Sequence, residues 1–385
     1  MMYRFLGVVL LCCFSLVVQG QITFPSNGAP DEREGLMAFT NATIHKSYNQ
    51  KIENATLLIR DGKVEAVGQG INIPDGAVIK DCKGMTIYPS FIELYSNYGL
   101  PEPTAAGKAP RRKPQMLSNK KGAFGWNEAI KPEFNASENF SANAKAAKEL
   151  RKLGFAVAQT HMMDGIARGT GAAVLLSDDR EQETVIKSAS GNFLSFKKGK
   201  STQSYPNSLM GGIALIKQTQ YDADWYRREG KNKETNLSLQ AWNENQFLPQ
   251  FFETRDRLEA LRAIKLGKDL SKKYIILGSG DEYKRITELK ATGASFIVPV
   301  NFPKAFDVED PYDALQADLH DLRHWELAPT NAARLKEAGI QFALTSHGLK
   351  KKDSFMSMLQ KAIKHGLSEE AALQALTATP AELMG

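Results

Sequence analysis

In the stretch Leu258–Val300, LEALRAIKLGKDLSKKYIILGSGDEYKRITELKATGASFIVPV, two helix-to-strand units follow one another. Leu258–Leu270 reads as a helix before the strand Tyr274–Leu277, and Tyr283–Ala291 reads as a second helix before the strand Phe296–Val300. The same unit recurs on both sides. Thr330–Ala338 is a helical segment before Ile340–Leu344, and Ala142–Leu153 ends at the C-capping Gly154 before the short apolar strand Phe155–Gln159. Strands separated by helices imply βαβ crossovers and a parallel sheet, and the number of repeats suits a barrel better than two small sheets. Barrels of this kind carry their chemistry on the loops that follow the strands, so candidate residues are sought there.

The composition agrees with a globular α/β protein. With 385 residues, 16 Pro, 30 Gly, 42% hydrophobic and 24% charged residues, the chain is neither collagen-like nor low-complexity nor generally disordered. A net charge of +6 falls short of a nucleic-acid footprint, so nucleic acid is set aside as a partner.

The first twenty residues have the layout of a secretory signal peptide: Arg4, an uncharged apolar run over Phe5–Val18, then Gln19 and Gly20 before polar sequence. That run is shorter than the roughly 20 residues a bilayer span needs. The expectation is cleavage near Gly20, a secreted or periplasmic location and no stable membrane anchor afterwards. Cys12 and Cys13 leave with the peptide, so Cys82 alone remains and no internal disulfide forms.

Residues 21–88 read as a small β unit. Thr56–Ile59 and Val64–Val67 flank Arg60-Asp61-Gly62-Lys63, and the Asp-Gly pair signals a tight hairpin because Gly accepts positive φ. Short strands follow at Ala77–Ile79 and Met85–Tyr88. The loop Gly99–Lys121, with four prolines and Lys108, Arg111, Arg112, Lys113, Lys120 and Lys121, reads as solvated. The Gly-rich Gly165–Gly171 reads as a turn, since it lacks the spacing of a phosphate or dinucleotide loop.

Several segments, in order, resemble the amidohydrolase superfamily. YPSFIELYSN (Tyr88–Asn97) follows the β unit as a Pro-Gly-Phe-Ile-Asp-x-His-x-His segment does in that family. LGFAVAQTHMMDGIARGTGAAVLL (Leu153–Leu176), LAPTNAARLKEAGIQFALTS (Leu327–Ser346) and HGLSEEAALQALTATPAELMG (His365–Gly385) are similar to its imidazolonepropionase-like branch. The resemblance spans nearly the whole mature chain. It implies a TIM-like (β/α)8 barrel over 89–385 with a small N-terminal β-sandwich portion, and hydrolysis of carbon–nitrogen bonds in cyclic amides or small peptides. It also implies a divalent metal, zinc, and a small-molecule or peptide substrate.

The metal motifs depart from that pattern. Hydrolysis at such a centre needs imidazoles and carboxylates converging at strand ends. The two first-strand histidines correspond to Tyr95 and Asn97, and Glu253 in FLPQFFETRD stands where a histidine ligand is expected. Gly278 replaces another histidine, and His347 stands where an aspartate serves as ligand and base. Glu253, His347 and Asn97 are the weak metal candidates that remain, with His347 the catalytic candidate. Tyr95, Asn97, Glu253, Gly278 and His161 are pocket candidates. No cofactor is secured by the residues themselves.

Other constellations read as structural. His161 with Asp164, and Ser346 with His347, come without a nucleophile elbow or oxyanion loop. His320 and His324 share a helix face, with Asp321 where a metalloprotease motif carries Glu. Thr379-Pro380-Ala381-Glu382 spells a capping box that announces a final helix. In the family pattern further sandwich strands would follow it, so the chain is expected to be truncated, or to be the first segment of a polypeptide in which a second amidohydrolase unit follows. Two functional readings stand: an exported hydrolase with an unusual metal, and a catalytically silent barrel that binds a ligand or contacts a partner.

Overall fold

The structure, a computed structural model, describes residues 35–104, 114–178 and 181–385. The expected signal peptide and Lys108, Pro110, Arg111, Arg112 and Lys113 lie outside the described residues. Among those described, no helix is long and apolar enough to cross a membrane. The chain divides into two units, one of residues up to Ile44 with Ile52–Ile87, the other of His45–Lys51 with Tyr88–Gly385.

The first unit is built on a five-stranded sheet formed from β1 (Met37–Ser47), β2 (Gln50–Arg60), β3 (Lys63–Gly68), β4 (Val78–Asp81) and β5 (Thr86–Ile87). Its strand order is β3-β2-β1-β4, with β5 also paired to β1. Arg60 pairs with Lys63 across the predicted hairpin, leaving Asp61 and Gly62 as the loop at φ 49° and 73°. Both φ values are positive, as a two-residue turn matching strand twist requires. Ala42, Ile44, Ala55 and Cys82 pack as one buried cluster, with Leu36, Ala38 and Leu58 as another.

The second unit holds an eight-stranded sheet in simple chain order: β6 (Phe91–Ser96), β7 (Phe155–Thr160), β8 (Ala167–Leu175), β9 (Val185–Ser195), β10 (Gln250–Glu253), β11 (Tyr274–Leu277), β12 (Ser295–Pro299) and β13 (Phe342–Thr345). The expected all-parallel sheet is corrected in one place: β8 runs antiparallel to both β7 and β9. Six residues separate β7 from β8 and nine separate β8 from β9. A parallel crossover needs about a dozen or more. Gly165–Gly171 is accordingly no simple turn, because from Ala167 onward it is buried strand.

The predicted helix–strand units occur in order. Arg257–Asp269 is a helix whose N-cap Asp256 accepts from the amides of Leu258 and Glu259, and Tyr274–Leu277 follows as a strand. Phe155, Leu215, Ile216, Phe252, Ile276, Phe296 and Phe355 are fully buried between helices and sheet. Leu94, Tyr95, Phe193, Phe251, Leu277 and Ile297 form a second apolar cluster.

No backbone ladder joins β13 to β6 among the described residues. A side chain links them instead. The Glu93 carboxylate, buried on β6, accepts from the Thr345 hydroxyl and, at 2.8 Å, from the Ser346 amide. At the far end of the chain, the capping box is corrected. Thr379 lies buried inside the helix Ala378–Met384, the cap position is Thr377, and the Thr377 hydroxyl donates to Leu373 of the preceding helix.

Candidate functional site

The C-terminal ends of the sheet strands converge on one carboxylate, Glu253 at the end of β10. The Arg168 guanidinium lies 2.7 Å from Glu253 Oε2, and the same oxygen accepts from the Tyr95 hydroxyl at 2.8 Å. Arg168 also donates to that hydroxyl at 2.9 Å, closing a triangle, while its Nε donates to the Gly165 carbonyl at 3.0 Å. Lys197, just past β9, donates to Glu253 Oε1 at 2.7 Å from the solvent side. Each oxygen of Glu253 is thereby engaged by a cation.

Burial sets the protonation states. Burial alone would push the Glu253 carboxyl up, but Arg168 and Lys197 hold it far below the usual carboxylate range. The Tyr95 hydroxyl is raised well above its ordinary value, by burial first and by the neighbouring Glu253 charge, so it remains a neutral donor. His161 is fully buried, with its ring stacked 3.8 Å from Phe193 and edge-on to Tyr95 at 4.4 Å. Neither of its ring nitrogens has a hydrogen-bond partner among the described residues. Burial, reinforced by Arg168, keeps it neutral. His347 also packs edge-on to Tyr95, with ring centroids 4.8 Å apart, and burial lowers it to about 4.

The site thus brings together Tyr95, Glu253, His161 and His347. Two of the expected residues do not join them. Asn97 is exposed beyond the end of β6. Gly278 is buried at the end of β11, where an added Cβ would meet Glu282 Oε1 at 2.2 Å. Glu282 fills the space a longer residue at 278 would need. Its carboxylate accepts from the amide of Ser279 at 2.7 Å and from Asn331 Nδ2 at 2.6 Å, and burial raises its pKa.

The residues present do not fit the divalent centre that the resemblance implies. An ion at Glu253 would lie against the Arg168 and Lys197 charges, which already share that carboxylate. His161 packs its ring face on Phe193, and Asn97 is turned out to solvent. Among the described residues, no three of His, Cys, Asp and Glu converge as a ligand group. High-affinity transition-metal sites want three or more strong donors.

Arg168, Lys197 and Glu93 were not singled out from the sequence. For Arg168 and Glu93 a signal is present: Arg168 is the lone charge in the small-residue run Gly165–Leu176, and Glu93 the lone charge in FIELYS. A charge isolated in a buried strand needs a buried partner.

The fold has a known structural counterpart. The structure is similar to that of an amidohydrolase from Thermotoga maritima MSB8, with TM-score 0.67 and 22% identity over 91% of this chain and 88% of that one. Weaker likeness extends to a beta-aspartyl dipeptidase from Fervidobacterium islandicum AW-1 (TM-score 0.47, 13% identity, 90% and 87% coverage) and to a dihydroorotase (TM-score 0.39, 12% identity, 91% and 83% coverage). No family model and no curated sequence matches the chain. The first of these similarities shows that the chain shares its fold with that Thermotoga maritima amidohydrolase.

Proposed function

We propose that this chain is an exported amidohydrolase-like protein in which the described unit, a (β/α) barrel closed through Glu93, binds a small-molecule or peptide ligand without hydrolysing it. The observation that carries this reading is the Arg168–Glu253 pair with the Tyr95 hydroxyl seated on it, which occupies the strand-end centre with protein charge. In this reading hydrolysis of carbon–nitrogen bonds, in cyclic amides or small peptides, is not carried out at this site. Export rests on the layout of residues 1–20.

A role in partner contact has its own support in the first unit. All four residues of β4 are exposed, including Val78 at 62% and Ile79 at 60% relative accessibility. Exposed apolar residues on an edge strand invite pairing unless they are covered.

Assays of residues 21–385 on dipeptides and cyclic amides, with zinc or manganese supplied, test the reading. No turnover above the buffer rate is expected. Metal-dependent turnover that disappears in Glu253→Ala would contradict it.

A further inference from the structure

Beside Lys197, a cavity of about 590 Å³ opens where the loops after β9 and β10 meet the start of the helix Leu209–Arg228. Volumes of several hundred Å³ suit small organic ligands. We infer that this cavity binds a small organic carboxylate, its charge held by Lys198 and Arg255 and its apolar body lying on Phe196, Pro206 and Leu209. The inference deepens the proposed ligand-binding role and rests on it.

Charge is the first support. Lys197, Lys198 and Arg255 line the cavity; Lys197 and Arg255 are paired with Glu253 and Glu259, and Asp164, behind Gly199, is paired with Lys131. Lys198 is half-buried and donates to the Gln203 carbonyl at 2.7 Å, with no carboxylate partner among the described residues. The helix adds its positive end. Ser208 caps the Gly211 amide at 3.1 Å, whereas the Leu209 amide precedes the first intrahelical bond.

The second support is a loop held in place before any ligand arrives. Asp164, 3% exposed, accepts from the Lys200 amide at 2.6 Å and pairs with Lys131. Gly199 passes so close that an added Cβ would lie 2.0 Å from Asp164 Oδ1, and its φ is 66°. Only glycine fits that approach. The Lys197–Lys198 backbone is therefore fixed, which lowers the ordering cost of binding.

The third is the wall. Phe196 is buried, and with Pro206 and Leu209 it supplies the apolar part of the lining, so a bare inorganic anion leaves much of the cavity unused.

Calorimetric titration of residues 21–385 with hexanoate and benzoate, with their uncharged amides, and with inorganic phosphate tests the inference. Saturable binding of the carboxylates in preference to the amides is expected, weakening about tenfold in Lys198→Gln and in Arg255→Gln as a charge-assisted contact is lost. Thermal melts of both variants confirm that they fold. Absence of saturable binding, equal binding of the amides, or phosphate binding as tight as hexanoate would each overturn it. Metal content measured on the same sample separates this outcome from that of the metal-free reading.

Discussion

Arg168 and Glu253 face each other at 2.7 Å with side chains only 3% and 13% exposed, and the Tyr95 hydroxyl touches both. A buried pair of this kind is strongly destabilising to break and often harmless to replace as a whole, because the cost lies in the orphaned partner. Arg168→Met alone should lower unfolding free energy by about 3 kcal/mol or more. Adding Glu253→Leu should restore part of the loss. Urea denaturation of the single and double variants measures the coupling, and simple additivity would show that the two charges do not depend on each other.

Neutral, buried histidines give the protein an acid limit. The folded-state pKa of His347 is lowered to about 4, below its ordinary 6.5, so the unfolded chain takes up its proton first as pH falls. Its contribution is fully present above pH 6.5 and is lost progressively between about 6.5 and 4, to a maximum of roughly 3 kcal/mol. His161 adds to the loss in the same direction. Glu253 acts lower still, since its depressed pKa contributes stability that is fully present above the unfolded carboxyl value and is lost progressively as pH falls from that value through the folded one. The urea midpoint should fall over the histidine window in the native protein and fall less in His347→Gln.

At the end of β11, shape sets the limit. Gly278→Ala drives a methyl into Glu282 Oε1 and should cost about 1–3 kcal/mol, the usual range for overpacking. In a Glu282→Ala background the same substitution should cost less, since neighbouring changes couple. Equal costs in both backgrounds would place the constraint elsewhere.

The link between β6 and β13 predicts a local effect. Glu93→Gln keeps the shape but removes the charged acceptor for Thr345 and Ser346, and should cost about 2 kcal/mol. Hydrogen exchange should accelerate in Phe91–Ser96 and Phe342–Thr345 before other strands. Uniform acceleration across the sheet would show that Glu93 does not hold that seam.

Much of the fold was legible before the structure, because it depends on local signals. The strand Tyr274–Leu277 has the same bounds in both readings, and the Asp61-Gly62 turn needs only the tolerance of its own residues for positive φ. The direction of β8 was missed because orientation follows from connection length and partner choice, and a Gly-rich strand has the composition of a turn. The site was half legible. Tyr95, Glu253 and His347 are named by the family resemblance and His161 by its place after a strand, and these four lie together; Arg168 enters from the antiparallel β8, and no expected strand-end position leads to it. Asn97 failed for a geometric reason, lying past the strand where the chain turns to solvent. The capping box failed because the helix Glu369–Leu376 runs almost directly into the last one.

Elemental analysis of dialysed residues 21–385, made alongside the Glu253→Ala and His347→Ala variants, tests most directly whether protein charge has taken the place of a metal centre. A folded protein with no stoichiometric zinc, manganese or iron, unchanged in either variant, is expected. Near-stoichiometric metal in the native protein that falls in both variants would contradict it.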